Sequence, residues 1–384
     1  MKFLKKFFKW TLGIIALLVL LLYIFDYGYI LRGVRVVYFT GHDTAFIDDY
    51  PYFENDTINK GATTDEWANH KNYNTVTPTP ALEKANQDWG TIAYVIIKND
   101  SIWFETYYDG FDDTSKTNSF SMAKSYTSGL LGKAIMDGYI ESLDQPLSDF
   151  FPEYSYAKTT VGDLSSMASG LDWVEHYTSP FSVTARANYD DDLAETILNQ
   201  KVVKTPGVAF EYLSGSTQLL GMVIEKATGK TLSNYLSESF WKPLGSSEDA
   251  LWQLDDEDNR LAKAFCCIAS NAKDFARFGK LYKDHGQWNG QQLLDSAFVA
   301  KSITPRFPES PEYGYGWWLK DVGDKSFFMM RGHLGQYVIV EPDDNVIIVR
   351  LGHRKSPDNN THTFSNDISL YIEEAYKMLG TPIN

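Results

Sequence analysis

Strand-forming sequence gathers at two places far apart in the chain, and this separation most constrains the fold. TIAYVIIKNDSIWFETYYDG, starting at Thr91, reads as two strands around a turn at Asn99 and Asp100. Far downstream, YGYGWWLKD, KSFFMMRGH and GQYVIVEPDDNVIIVRLGH alternate or run apolar, with Pro342, Asp343, Asp344 and Asn345 as a hairpin turn. Between them the chain reads as helix and loop. Residues 121–139 carry Leu130, Leu131, Ala134 and Ile135 on one side and a stop at Gly138. Further helices are expected over 218–227, ended by Gly229, over 271–283, and over 366–379. The order predicts an α+β fold: an antiparallel sheet flanked by helices, with an inserted, mainly helical lobe. A cleft is expected between the two lobes.

A length of 384 residues exceeds what one compact core usually serves, so one large domain or two intergrown lobes is expected. Hydrophobic residues at 43% supply enough material for such a core. The net charge of −15 repels phosphate backbones and argues against nucleic acid as a partner. Cys266 and Cys267 are adjacent, and neighbours rarely pair, so both are expected as small buried thiols. The N-terminus bears on the compartment. Lys2, Lys5, Lys6 and Lys9 precede the uncharged run WTLGIIALLVLLLYIF. As a helix this run rises about 24 Å, a little short of a ~30 Å hydrocarbon core, and Phe7 and Phe8 extend it. Basic residues before the run favour an N-inside orientation with the rest of the chain outside. Asp26, Tyr27, Gly28, Tyr29 and Ile30 make a poor cleavage site, which favours an uncleaved anchor over a signal peptide. The expected organisation is a basic cytoplasmic segment at 1–9, a transmembrane anchor at 10–25, a linker and arm at 26–88 and a catalytic domain at 89–384.

The sharpest chemical signal is Ser121-Met122-Ala123-Lys124 at a helix start. A spacing of three sets hydroxyl and amine on one face, a turn apart. A serine hydroxyl is a poor nucleophile until a neighbouring base takes its proton. A lysine can do so only as the neutral amine, which burial or neighbouring cations must favour against an ordinary pKa of about 10.4. Alone the pattern is weak, since a capping serine and a surface lysine meet it by chance. SFSMAKSYTSGLLGKAI, however, surrounds it with small and hydroxyl residues before an apolar helix, as suits a buried central helix.

These residues resemble the serine β-lactamase and penicillin-binding-protein superfamily, in the branch with class C enzymes, esterases and 6-aminohexanoate-oligomer hydrolases. LSSMASGLDW, FEYLSGSTQLLGMVIEKATG and AFCCIASNAKDFARFGKLY resemble later segments of that branch, and GHLGQYVIVEPDDNVIIVRLGH resembles its C-terminal strands. The likeness runs over roughly residues 90–380 in the family's order. It implies Ser121 as nucleophile, Lys124 as the base of acylation, and Tyr212 as a phenol passing protons to the leaving group. It implies a third motif at His333-Leu334-Gly335 on an edge strand, with His333 adding positive character and Gly335 leaving room for substrate. The oxyanion hole would use the backbone N–H groups of Ser121 and Gln336. No metal or organic cofactor is implied.

Two departures stand out. Ser214 replaces the asparagine of the second motif, and a hydroxyl reaches less far toward a substrate amide. His333 replaces lysine and anchors a carboxylate poorly near pH 7. Both argue for an esterase or amidase over a β-lactamase or D-Ala-D-Ala peptidase, and no separate deacylating glutamate stands out. Asp190, Asp191 and Asp192 read as a solvated loop, the histidines show no metal-ligand spacing, and Trp173, Trp317 and Trp318 suit either core or cleft. The expected function is hydrolysis of a small-molecule or cell-wall-derived ester or amide outside the cytoplasm, through an acyl-enzyme on Ser121. The alternative is a catalytically inactive relative that binds wall fragments or a partner. An acyl transferase would share the same chemistry.

Overall fold

The computed structural model describes residues 2–357 and 363–383. Its centre is a seven-stranded sheet in the order Trp318–Val322, Lys325–Gly332, Gln336–Glu341, Val346–Gly352, Thr91–Lys98, Ser101–Tyr107 and Ala68–Asn69. All neighbours pair antiparallel except the last pair. The early hairpin thus docks beside the late strands, with Ile96 opposite Ile348 and Val95 opposite Val349. Asn99 and Asp100 both take positive φ, as a tight two-residue turn requires. Thr91–Ile97 and Gln336–Glu341 are buried throughout, because helices cover both sheet faces. On one face lie Pro80–Asp88 and Asn366–Met378, packed over Tyr94, Ile96, Ile339 and Ile348. On the other lies the larger core, with the helices Ala123–Met136, Ser214–Thr228 and Ala272–Lys283.

The architecture is the α+β arrangement expected, antiparallel sheet plus helical lobe, joined by a four-stranded sheet. That second sheet runs Asn55–Ile58, Ala250–Gln253, Ile268–Ser270 and Thr117–Asn118. Its first strand comes from the 26–88 segment, which is therefore woven into the fold: Asn55 pairs with Gln253, and Asp65 N–H donates to the Gly245 carbonyl. Ahead of it stands α1 (Lys2–Ile24), apolar enough to cross a membrane and unburied along its length. A short turn leads into α2 (Tyr29–Val37), which packs on the helix Val183–Tyr189.

One expectation for the third motif is corrected. His333–Gly335 is a tight turn between Lys325–Gly332 and Gln336–Glu341, which are interior strands of the sheet. Leu334 and Gly335 both have positive φ, which a strand does not tolerate. Nor does Gly335 leave space for a substrate, because a Cβ there would meet the Arg350 guanidinium at 2.2 Å. The glycine that faces the segment before Ser121 is Gly332, where a Cβ would meet the Ser119 carbonyl oxygen at 2.2 Å.

Candidate active site

Ser121 lies in a single 3-10 turn, Phe120–Met122, that runs directly into the helix Ala123–Met136. The residue before it, Phe120, has φ of 45°, strained for a side chain with a Cβ. That strain is held by hydrogen bonds. Phe120 N–H donates to Asn118 Oδ1 at 2.8 Å, and Asn118 Nδ2 donates to Asp49 Oδ1 at 2.8 Å. Asp49, from the N-terminal arm, also accepts from Gln253 Nε2. Burial raises the Asp49 carboxyl to about 6, against the lowering pull of Asn118 and Lys263. Lys263 is itself fully buried, and burial, then the charge of Arg32, lowers its amine to about 7.

One turn after the serine, Lys124 is 3% exposed, and its Nζ lies 2.9 Å from Ser121 Oγ. Nζ also donates to the Phe265 carbonyl at 2.8 Å and lies 5.0 Å from the centre of the Tyr212 ring. Tyr212 packs on Trp318, so the structure brings Ser121, Lys124 and Tyr212 into one cluster. Ser214 is buried, at the start of its helix, and its hydroxyl and backbone N–H both donate to Glu175. Trp173 Nε1 donates to the same carboxylate, and Trp317 is wholly buried in the core. His333 lies against Phe120 edge-on at 5.5 Å and stacks on Tyr177 at 5.7 Å. Gln336 is fully buried, and its side chain bridges the His333 and Gly352 carbonyls. The acidic run serves structure: Asp190 and Asp191 pair with Arg186 and Arg32, and Asp192 caps a helix.

Two features escaped the sequence reading. Glu175 lines the cleft as an anchored carboxylate; the serine in place of asparagine at 214 was the hint that a new partner was needed. Cys266 and Cys267 are bridged to each other, correcting the expectation of two free thiols. The bridge fits here because Cys267 takes φ of 77°, turning the chain back between Phe265 and Ile268. These groups line one side of a cavity of about 420 Å³ with Ser121, Glu175, Ser214 and His333 in its wall. That volume suits a small-molecule site.

Among protein families, Beta-lactamase matches residues 80–368. The 6-aminohexanoate-dimer hydrolase of Paenarthrobacter ureafaciens is 24% identical over 326 residues, covering 78% of this chain and 82% of its own. The solved structure of a Bacillus anthracis protein described as a 6-aminohexanoate-dimer hydrolase superposes with a TM-score of 0.76 at 21% identity, over 92% of this chain and 95% of its own. A D-stereospecific amidohydrolase from Streptomyces sp. superposes at 0.58 and 18% identity, over 76% and 96%. The chain belongs to the beta-lactamase family. Within it, this protein is a serine hydrolase.

Proposed function

We propose that the protein cleaves an ester or amide through an acyl-enzyme on Ser121, outside the cytoplasm, with α1 as its membrane anchor. The observation that carries this reading is the 2.9 Å approach of Lys124 Nζ to Ser121 Oγ at the wall of the cavity. Lys124 takes the serine proton as Oγ attacks the substrate carbonyl, and Tyr212 passes a proton to the leaving group. The backbone N–H groups of Ser121 and Gln336 hold the oxyanion. Water then releases the acyl group. Glu175, through Ser214, fixes the cleft wall where relatives of the lactamase type carry asparagine. The likeness to hydrolase relatives supports the reaction class, and the lysines in the first turns of α1 support an outside catalytic domain.

A fluorophosphonate tests this. One adduct is expected on the wild type, read by intact-mass spectrometry, absent in Ser121→Ala and slowed at least a hundredfold in Lys124→Ala. A full-rate adduct in Ser121→Ala would refute the assignment.

A further inference from the structure

The cavity above Ser121 is roofed by the chain's own second helix. Tyr29, Ile30, Gly33, Val34, Val37 and Tyr38 all line it. Their spacing, one and three or four apart, is a single helical face. The helix is fixed in place by its other contacts. Arg32 pairs with Asp191 and donates to the Asp255 carbonyl at 2.7 Å, and a Cβ on Gly33 would meet the Tyr189 ring at 3.2 Å. The corner before it is clamped too. Asp26 pairs with Arg186 at 2.7 Å, and Tyr27 meets Phe181 edge-on at 5.4 Å. Only the short turn after Ile24 separates this roof from the end of α1.

The roof is apolar, with Ile30, Val34 and Val37 facing the cavity, while Thr184, Asn188 and Gln253 are among the polar residues of its wall. Of its acids, Asp49 and Glu175 are already bonded to protein donors, and Asp43 is at the exposed rim. Among the described residues no lysine or arginine lines it to meet a substrate carboxylate, Lys124 lying behind Ser121 and bonded to its hydroxyl. At the rim, Tyr38 and Tyr177 are 63% and 58% exposed, and their neighbours Phe39 and Phe181 are 81% and 63% exposed. Large aromatic groups left in water around a cavity mouth mark an apolar contact surface. Here that surface adjoins the exit of α1, among the described residues the one helix long and apolar enough to cross a membrane.

We propose that this cavity takes the hydrocarbon chain of an amphiphilic ester or amide drawn from the membrane surface, with its carbonyl set at Ser121. The proposal rests on the Ser121 acylation described above and names its substrate class. Ser121 Oγ bonds to the chain's carbonyl carbon. The bond from that carbon to the headgroup oxygen or nitrogen breaks, and the headgroup leaves with the proton given up by Ser121. Water then frees the carboxylic acid.

The test uses the full chain in nanodiscs and p-nitrophenyl esters from acetate to laurate, with Ser121→Ala as blank. Each added methylene should raise kcat/KM about fourfold until the cavity is full, the factor equivalent to ~0.8 kcal/mol per buried CH₂. Val34→Trp should cut the decanoate-to-acetate ratio more than tenfold, and Ile30→Asp should do the same by making the roof polar. Fluorophosphonate labelling of each variant reports an intact site. A flat or falling chain-length profile with labelling intact would overturn the substrate class and leave the Ser121 reading standing. No labelling and no hydrolysis would overturn both. A second arm follows fatty-acid release from phosphatidylglycerol nanodiscs and from free monooctanoylglycerol. Release from the bilayer lipid supports the membrane source, and release from the free amphiphile alone overturns it.

Discussion

At the scale of single residues, the geometry of Ser121 is set from a distance. Asp49 holds Asn118, and Asn118 holds the strained Phe120 backbone next to Ser121. That hold has a cost in stability. Because burial raises the folded pKa of Asp49 from 3.8 to about 6, the protonated form is favoured in the folded state. Stability therefore falls as pH rises from about 4 to 6, and the penalty is full above 6. Lys263 works in the opposite sense: its lowered pKa penalises the charged form below about 7 and less above it. Asn at 49 can accept the same two hydrogen bonds without the charge. Asp49→Asn should raise the unfolding free energy by about 3 kcal/mol at pH 8 and by almost nothing at pH 4. Urea unfolding at both pH values checks this, and an equal effect at both would show that the carboxylate is not the strained group.

At the scale of elements, much was written locally. The Asn99–Asp100 hairpin, the helix after Ser121 and the apolar strands near the C-terminus carry their own turn residues and periodicity, so the fold class is readable from them. The pairing of Lys124 with Ser121 is equally local, one helical turn. What was not readable depends on backbone that turns against local habit. The His333–Gly335 segment looks like a strand until Leu334 and Gly335 take positive φ. The Cys266–Cys267 bridge needs the reversal at Cys267, which no composition signals. This bridge lies in the segment that presents the Phe265 carbonyl to Lys124 and the Ala264 carbonyl to Thr127, while Cys267 N–H reaches toward the Phe120 carbonyl. A ring between neighbours closes almost no loop, so in the chain-entropy account it adds only about 1 kcal/mol to stability. Its effect should fall on the position of Lys124. The double variant Cys266→Ser/Cys267→Ser should melt within a few degrees of the wild type yet react with fluorophosphonate about tenfold more slowly. Equal rates would mean that the bridge has no hold on the site.

At the scale of the whole molecule, the 26–88 segment shows the limit of local reading. It has no sustained periodicity, and its partners lie far along the chain, as with Asn55 and Gln253 or Asp49 and Asn118. Such contacts leave no trace in sequence spacing, so an arm lying on the surface was the natural expectation, whereas the structure makes it part of the cavity and of the second sheet. The distinction can be measured by cutting the chain on either side of α2. Removing residues 2–24 takes away a helix with no buried side chain and should leave the unfolding free energy unchanged. Removing residues 2–38 also strips out Tyr29, Val36 and Val37, which are 6%, 1% and 6% exposed, and the Arg32 contacts with Asp191 and the Asp255 carbonyl. At about 1.5–3 kcal/mol for each buried apolar side chain, an upper estimate, roughly 5 kcal/mol of stability should go with them. Denaturant unfolding of the two truncated chains gives the difference directly. If they unfold at the same midpoint, α2 is not packed on the hydrolase domain, and the roofed cavity falls with it. If the longer truncation alone is weakened, the segment after the membrane-spanning candidate is a structural wall of the candidate active site.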